Sequence, residues 1–416
     1  MAGPLPIGEP APLDGMLPFQ AHEGAQARTF HAYVHVPFCK VRCGYCDFNT
    51  YTASELDGAK QSDYAKLVTS EIAFSKNVLE KSDLPARKLS TVFFGGGTPT
   101  QLPAADLNLM LAKLGSDFGF VPGAEITTEA NPDTVDDAYL QELRAGGFTR
   151  ISFGMQSAVP QVLKTLERTH NPANVAKVVV QAKNAGLATS VDLIYGAPGE
   201  TLEQWRESVE AAIAMQPDHI SAYALIVEDG TKLARQIKSG ELAEPDEDLQ
   251  ADKYELADAL LAAAGYGWYE VSNWAKIIDG STVANASDHN ISYWASQDWW
   301  GYGPGAHSHV GGVRWWNVKH PSVYSGKISQ GHSPAAGKET LGNRTRLEER
   351  VLLEIRINSG LSISLAKEVN PNAAELIAGF IADGLVEARE AISGVLKLTL
   401  QGRLLADSIV RKLLAD

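Results

Sequence analysis

The stretch Tyr33-Val-His-Val-Pro-Phe-Cys39-Lys-Val-Arg-Cys43-Gly-Tyr-Cys46 contains all three cysteines of a 416-residue chain. Its first residues alternate in a way that predicts a β-strand with the cysteines at its end. A thiolate is a soft ligand that suits iron–sulfur clusters, zinc or copper(I), so three of them can converge on one metal centre. Three thiolates are one ligand short of a closed site, which leaves one coordination position open.

Two other interpretations of the cysteines have to be weighed. The first is a Cys₃His zinc site, in which His35, four residues before Cys39, would supply the fourth ligand. A disulfide with one spare thiol is the second, but the odd cysteine count and the lack of a secretory signal argue against it. The remainder of the sequence distinguishes an iron–sulfur cluster from a zinc site.

The spacing Cys-x3-Cys-x2-Cys resembles the signature of the radical S-adenosylmethionine (SAM) superfamily. The preceding Tyr-Val-His-Val-Pro-Phe-Cys narrows the resemblance to the coproporphyrinogen-oxidase-like subfamily. This resemblance implies a [4Fe–4S] cluster on Cys39, Cys43 and Cys46, with SAM chelating the open iron through its amino and carboxylate groups. It also implies that Tyr33 belongs to the cofactor site.

The composition is that of a globular protein, with 44% hydrophobic and 21% charged residues and a net charge of −14. Residues 1–30 are rich in Pro, Gly and Ala without a basic, apolar signal pattern, which predicts a flexible leader. No stretch reaches the ~20 apolar residues of a membrane span. We therefore expect a cytoplasmic protein, and its acidity argues against nucleic acid as the main partner.

Short β-branched runs alternate with amphipathic helical patterns from residue 29 to about 227, the rhythm of βα units. The predicted strands are Ala32–Val36, Thr91–Phe94, Glu125–Glu129, Arg150–Phe153, Thr189–Ile194 and His219–Ala224. The predicted helices lie near 62–80, 104–115, 135–145, 159–166, 173–186 and 202–215. Six repeats predict an α/β fold with an open, partial (β/α)₆ TIM-like barrel over 31–231 and its chemistry at the carboxyl ends of the strands.

Polar and glycine-rich residues follow these predicted strands. Three glycines in Phe94-Gly-Gly96-Gly97-Thr98-Pro99 let bare amides approach a ligand, although a glycine run is also typical of a simple turn. The subfamily resemblance implies that this segment receives the amino group of SAM, with Thr98 as a hydrogen-bonding residue. Glu129 closes the third strand, where it can hold a ribose or an ammonium group or can simply be a solvated acid.

Three further residues complete the predicted SAM site. Gln156 and, twelve residues later, Arg168 have the separation found in the subfamily, in which the arginine meets the SAM carboxylate through its planar fork. Asp192 ends the fifth strand and is a candidate for the ribose hydroxyls, because a carboxylate can accept two hydrogen bonds from a diol.

The segment 232–345 departs from the barrel rhythm and concentrates most of the tryptophans, which predicts a smaller α+β region. These aromatics form its core or offer stacking area to a flat macrocycle. It contains His289-Asn-Ile-Ser-Tyr-Trp294, and the pattern His-Asn-x-x-Tyr-Trp marks the HemW branch of the subfamily, the haem chaperones. Imidazole is the commonest axial ligand of haem iron, so His289, and less so His307 and His309, are candidate ligands unless they are structural.

From residue 346 to the end, predicted helices at Leu347–Arg356, Ser364–Glu368, Ala373–Asp383 and Gln401–Leu414 flank a hairpin of Leu385–Ala388 and Val395–Leu400. This pattern is typical of a small winged-helix-like domain. From Arg344 onward 10 Lys and Arg stand against 10 Asp and Glu, so we expect a packing or partner-docking unit and not a DNA-binding one.

The resemblance implies a haem chaperone of the radical SAM fold that binds a [4Fe–4S] cluster, SAM and haem. Its expected partners are haem-accepting proteins such as membrane respiratory enzymes, which would bring it to the membrane periphery. A haem-donating protein and a homodimer are also compatible with it. The alternative is an oxygen-independent coproporphyrinogen III oxidase; Phe48, where those oxidases carry a further cysteine, favours the chaperone. A zinc-stabilised binding protein without radical chemistry is the third interpretation.

Overall fold

The computed structural model describes residues 6–281 and 283–415, and one large sheet organises the molecule. Within the described ranges this sheet has twelve strands. They are β1 (Phe30–Val36), β2 (Leu89–Gly96), β3 (Phe120–Ala130), β4 (Arg150–Gln156), β5 (Ala188–Tyr195), β6 (His219–Ala224), β7 (Tyr266–Glu270), β8 (Asn273–Lys276), β9 (Asp298–Tyr302), β10 (His307–Val310), β11 (Val313–Asn317) and β12 (Ala335–Thr340).

The strand order is β12-β11-β10-β9-β1-β2-β3-β4-β5-β6-β8-β7. Strands β1 to β6 are parallel neighbours in chain order, and β9 lies parallel to β1 on the other side. The remaining strands pair antiparallel at the two edges. The carboxyl ends of β1 to β6 therefore meet on one rim, as the predicted partial barrel requires.

Helices between the strands cover the outside of the barrel. They are α1 (Tyr64–Lys81), α2 (Ala104–Phe118), α3 (Asp137–Gly146), α4 (Pro160–Thr165), α5 (Pro172–Asn184) and α6 (Leu202–Ala214), followed by α7 (Lys232–Lys238), α8 (Glu247–Ala263), α9 (Asp288–Trp294) and α10 (Pro321–Ser329). Local chemistry sets their ends: Thr201 and Gln204 form a capping box at the start of α6, and Gly147 ends α3 in the left-handed region. No helix of the described chain is both long and apolar enough to cross a membrane.

All six predicted barrel strands are present, and β6 has the predicted limits. The aromatic-rich segment contributes β7 and β8 to one edge of the barrel sheet and β9 to β12 to the other. Its tryptophans Trp274, Trp300 and Trp315 lie in the same apolar core as the barrel strands. The aromatics therefore extend the barrel core.

The leader is more ordered than its composition suggests, as far as it is described; residues 1–5 lie outside the described chain. Glu9 pairs with Lys338 at the edge of β12, and Ala21 and Ala25 are buried. Arg28 and Arg87 both bind the fully buried carboxylate of Asp298, at 2.8 and 2.6 Å. The described part of the leader is therefore anchored and not flexible as predicted. Amino-acid composition does not reveal individual polar contacts of this kind.

The C-terminal region forms a second apolar core between Val351 and Leu413. Its elements are α11 (Asn343–Glu354), β13 (Leu361–Ser362), α12 (Ile363–Val369), α13 (Ala373–Ala382), α14 (Ala388–Ile392), β14 (Val395–Leu396), α15 (Leu400–Leu404) and α16 (Ala406–Leu414). The predicted hairpin is reduced to a bridge between Val386 and Leu398, and β14 pairs with β13 instead. The predicted last helix is divided in two.

Candidate functional site

A cavity of about 950 Å³ lies inside the barrel and opens at the carboxyl ends of its strands. The predicted cluster and SAM residues, together with His289, all line this one cavity: Tyr33, Cys39, Cys43, Cys46, Gly96, Gly97, Thr98, Glu129, Gln156, Arg168, Asp192 and His289. The structure therefore brings together residues that are spread over more than half of the chain.

The three cysteines lie on the loop that follows β1, and all three are free and partly exposed to the cavity. The loop is closed by two backbone bonds, since Tyr51 donates to Pro37 and Cys39 donates to Tyr51. Burial raises the pKa of Cys46 to about 11 and also raises the pKa of Cys39. A buried thiol of this kind ionises when a metal cation compensates its charge, so the loop suits a metal cluster.

The glycines at the end of β2 are required by the close approach of the cysteine loop. Gly96 has a φ of 110°, and a β-carbon there would lie 2.6 Å from the ring of His35. A β-carbon on Gly97 would lie 2.8 Å from the carbonyl oxygen of Phe38 and 3.1 Å from Sγ of Cys39. Only glycine fits at these positions, which leaves bare backbone beside the thiols.

Arg168 connects the cysteine loop to the end of β4. One terminal nitrogen donates to Sγ of Cys43 at 3.5 Å and the other to the carbonyl of Gly154 at 3.2 Å. Its Nε is buried and has no partner within the structure described. Gln156, the last residue of β4, has a φ of 65°, which carries its side chain into the same space. The unpaired Nε is a donor available to an anionic ligand.

Two carboxylates face these cationic and thiol groups. Glu129 accepts a hydrogen bond from the amide of Gly96 at 3.2 Å, and burial beside Asp192 raises its pKa to about 8. Burial also raises the pKa of Asp192, which accepts from Ser221 at 2.7 Å and Ser152 at 2.8 Å. A ligand with a positive charge would stabilise the ionised form of both acids.

The zinc site with His35 does not agree with the geometry. His35 Nδ1 lies 3.0 Å from the hydroxyl of Tyr33, and Nε2 lies 2.9 Å from the carbonyl of Asn49, so neither nitrogen is free. A mononuclear Cys₃His centre is therefore disfavoured.

The His-Asn-x-x-Tyr-Trp motif lies on α9, which closes the opposite end of the cavity. Ser287 caps this helix, and Glu125 accepts from the amides of Asp288 and His289 at 3.1 and 3.0 Å. Glu125 precedes Glu129 by four residues on β3, a distance of about 13 Å along the strand. The motif therefore forms the floor of the barrel cavity, below the cysteines.

His289 is held rigidly in this floor. Its Nδ1 lies 2.5 Å from the hydroxyl oxygen of Thr91, its Nε2 lies 2.8 Å from that of Tyr293, and its ring stacks on Phe93. Burial lowers its pKa well below the ordinary value, so the ring is neutral. Because both nitrogens already have partners, His289 is not available as the predicted haem-iron ligand in this conformation.

The tautomer of His289 follows from its neighbours. Gln297 donates from Nε2 to the carbonyl of Ala295 and accepts from the amide of Thr29, so the hydroxyl of Thr29 must donate to Gln297 Oε1. Neutral His31 then donates from Nε2 to Thr29 and accepts at Nδ1 from the hydroxyl of Thr91.

With its proton given to His31, the hydroxyl of Thr91 can only accept from Nδ1 of His289. The Nε2 atom of His289 consequently accepts the proton of Tyr293. The chain of hydrogen bonds has one direction, from the cavity floor to the protein exterior at Thr29.

The other two candidate histidines lie outside the cavity lining. His309 has a partner at each nitrogen, the carbonyl of Gln297 at 3.1 Å and the amide of Gly312 at 3.2 Å. His307 is exposed at the start of β10. Most of the aromatic residues are buried in the core, although Tyr269 and Tyr293 line the cavity.

Sequence reasoning missed several cavity residues, and Arg150 is the most unusual of them. Arg150 opens β4, lines the floor of the cavity and is 6% exposed. The available signal was a charged residue at the start of a strand that is buried along most of its length. Ser152, Ser221, Tyr223 and Asn273 also line the cavity, and no motif distinguishes them.

The chain is similar to known proteins over most of its length. Residues 33–212 match the radical SAM superfamily. The chain is 42% identical to the heme chaperone HemW of Mycobacterium tuberculosis (strain H37Rv), over 97% of this chain and 98% of that protein. It is 30% identical to the heme chaperone HemW of Bacillus subtilis (strain 168), over 92% and 99%. Among solved structures, coproporphyrinogen III oxidase (HemN) from Escherichia coli superposes with a TM-score of 0.78 at 25% identity, covering 95% of this chain and 93% of that one.

Proposed function

The chain belongs to the HemW branch of the radical SAM superfamily, and from that premise we propose that it binds a [4Fe–4S] cluster, SAM and haem and delivers the haem to other proteins. The observation that carries this proposal is the single barrel cavity that contains both the three-cysteine loop and the His-Asn-x-x-Tyr-Trp floor. A protein that only stored a metal ion would need no cavity of about 950 Å³ beneath it.

Cys39, Cys43 and Cys46 are the proposed ligands of the cluster. When bound, a [4Fe–4S] cluster on three thiolates supplies one iron with an open coordination position. The residues around the thiols fit this group, since the bare backbone of Gly97 lies beside Cys39 and a guanidinium contacts Cys43.

SAM is the proposed second ligand of this end of the cavity. Gly96, Gly97 and Thr98 offer backbone and hydroxyl groups to its amino group, and Glu129 offers a carboxylate to its positive charge. Gln156 and Arg168 lie where they can receive its carboxylate, and the unpaired Nε of Arg168 supports this placement. Asp192 is the proposed ribose-binding acid, and Tyr33 forms part of the wall, stacked on Phe93.

Haem is the proposed cargo, and haem-accepting proteins, including respiratory membrane enzymes, are the proposed partners. A haem-donating protein and a second copy of the chain are further proposed partners, and the cytoplasm, with access to the membrane surface through an acceptor, is the proposed location. His289 contributes to this function by positioning Tyr293 in the cavity floor, because its own nitrogens are occupied.

An oxygen-independent coproporphyrinogen III oxidase is the second candidate, favoured by the TM-score of 0.78 to such an enzyme. Phe48 argues against it: this side chain is 59% exposed and lines the cavity mouth where the oxidases carry a further cysteine. The two functions require different macrocycles, because a chaperone holds iron protoporphyrin and an oxidase decarboxylates an iron-free porphyrinogen.

The test uses anaerobically reconstituted full-length protein. We expect about one haem per chain by absorbance titration, and no protoporphyrinogen from coproporphyrinogen III when SAM and a reductant are supplied. Conversion over many turnovers would replace the chaperone proposal with the oxidase. Zinc in place of iron and sulfide after anaerobic purification would remove the radical SAM chemistry altogether.

A further inference from the structure

Arg150 is a buried cation for which the described residues supply no ion pair. It is the first residue of β4, it is 6% exposed, and it lines the floor of the barrel cavity. Among residues 6–281 and 283–415, no carboxylate lies within 4.0 Å of its guanidinium, and the guanidinium donates no hydrogen bond to another residue. A buried charge without a partner is costly, so its retention in the floor needs a reason.

Three carboxylates feel this charge: Glu125 and Asp192 are engaged by other donors, and Asp288 is exposed on α9. Glu125 accepts from Ser287 and from the first amides of α9. Both oxygens of Asp192 accept from serine hydroxyls, Ser221 on one side and Ser152 on the other. The guanidinium lowers the pKa of both acids against the larger effect of burial, but neither forms an ion pair with it. The nearby acids therefore leave the guanidinium without an ion pair among the described residues.

The two imidazoles that feel this charge do not compete for an anion either, and His289 is neutral with both nitrogens occupied. His219 is neutral, because burial lowers its pKa well below the ordinary value. Its two nitrogens contact Ser190 at 2.7 Å and Tyr269 at 2.8 Å. Arg150 is therefore the positive group that an anion entering the floor of the cavity meets.

We propose that Arg150 binds a carboxylate group of a ligand that occupies the lower half of the barrel cavity. A planar guanidinium pairs with a carboxylate through two parallel hydrogen bonds, which suits an organic acid better than a point anion. The site is separate from the proposed SAM carboxylate site, because Gly154, which Arg168 contacts, lies four residues or about 13 Å further along β4.

Two ligands carry the required carboxylate. One is a propionate of haem, an assignment that rests on the proposed haem-binding function. The other is the carboxylate of an amino-acid-containing ligand such as SAM. Two guanidiniums at opposite ends of one cavity allow two acids to be held at the same time.

The experiment compares each ligand with a form that lacks the carboxylate. Full-length protein is titrated with iron protoporphyrin IX and with its dimethyl ester, and separately with SAM and with decarboxylated SAM. The variants are Arg150→Gln, Arg150→Lys, which keeps the charge, and Arg206→Gln as a matched control. Arg206 is a half-exposed surface arginine on α6 that pairs only loosely with Glu210, at 3.8 Å.

For one of the two ligands, we expect wild-type protein to favour the free acid by about 10- to 100-fold, the range of a hydrogen bond to a charged group. Arg150→Gln should abolish that preference for haem, or lower it for SAM, where Arg168 also meets a carboxylate. Arg150→Lys should retain part of the Arg150 contribution, and Arg206→Gln should leave the preference intact. The ligand for which Arg150→Gln changes the preference for the free acid is the source of the carboxylate.

A preference in Arg150→Gln equal to that of wild type for both ligands would overturn the inference. Arg150→Lys keeps a cation in the floor, so a failure of Arg150→Gln to fold does not remove the test: a preference in Arg150→Lys equal to that of wild type for both ligands would also count against a paired guanidinium. Wild-type protein that binds neither haem form would defeat the proposed function alone, and the SAM titrations of wild type against Arg150→Gln would still decide the role of Arg150.

Discussion

Tyr293 donates its hydroxyl proton to Nε2 of His289 across 2.8 Å, and the other nitrogen of that imidazole lies 2.5 Å from Thr91. The residue that the motif singles out as a haem ligand is thus a fully bonded part of the barrel floor. An imidazole has one lone pair for a metal, and here Tyr293 occupies it. The motif builds one end of the cavity before any macrocycle arrives.

We therefore expect His289→Ala to bind haem with the Soret maximum and ferric electron paramagnetic resonance signal of wild type. The axial ligand is unchanged, because the removed ring did not have a free nitrogen. Absorbance titration of both proteins provides the comparison. A shifted band with a new spin state would mean that His289 leaves its hydrogen bonds and ligates the iron.

Replacing Cys39, Cys43 and Cys46 by alanine should abolish the cluster and leave the protein folded. The three thiols lie on one partly exposed loop, whereas the barrel strands bury their own continuous apolar core. Iron and sulfide analysis should fall to background while the circular dichroism spectrum remains that of wild type. Iron and sulfide retained by the triple variant would show that the cluster is held elsewhere.

Arg168→Ala should weaken SAM binding by about 2–5 kcal/mol if the guanidinium forms a buried pair with the SAM carboxylate. The unpaired Nε and the contact with Cys43 place this donor beside the proposed cluster. Calorimetry on reconstituted protein measures the dissociation constant, with Arg206→Ala as the surface control. Equal SAM dissociation constants for wild type and Arg168→Ala would show that Arg168 does not bind the SAM carboxylate. The spacing of Gln156 and Arg168 would then be coincidental.

Much of the fold could be predicted because the barrel repeats one simple pattern. Each strand from β1 to β6 is a short apolar run followed by a helix, so its position is visible in local sequence. The candidate site could be predicted for the same reason, since the carboxyl ends of parallel strands converge whatever their separation in the chain. Gly97 and Arg168 meet the cysteine loop in this way.

What local sequence could not show are contacts made between distant segments. The pairing of Arg28 with Asp298 spans 270 residues, and it anchors a leader whose composition predicts flexibility. The occupied nitrogens of His289 depend on Thr91, which belongs to another strand. The isolation of Arg150 is visible only when the partners of Glu125 and Asp192 are known.

The hydrogen-bonded chain below the cavity also predicts a pH dependence of stability. Burial lowers the pKa of His31 from its ordinary value of 6.5 to about 4. Between these two values the unfolded chain takes up a proton that the folded protein does not, so the free energy of unfolding falls as the pH falls. The effect is up to about 1.4 kcal/mol per pH unit, or about 3 kcal/mol over the whole window. Burial has the opposite consequence for Glu71, whose pKa it raises to about 7. The dependence of the free energy of unfolding on pH therefore contains contributions of both signs.

The difference between wild type and His31→Gln isolates the histidine contribution. At pH 7 the variant should be less stable, because it loses the bonds to Thr29 and Thr91. As the pH falls from 6.5 to 4 the gap should narrow by up to about 3 kcal/mol, since only wild type must keep a buried ring uncharged. Urea denaturation at pH 7, 6, 5 and 4 measures the gap, with His332→Gln as a control outside the chain of hydrogen bonds. A gap that is constant over this range would show that His31 takes up its proton without cost, and the one-directional chain from Tyr293 to Thr29 would then lack the neutral imidazole on which its direction depends.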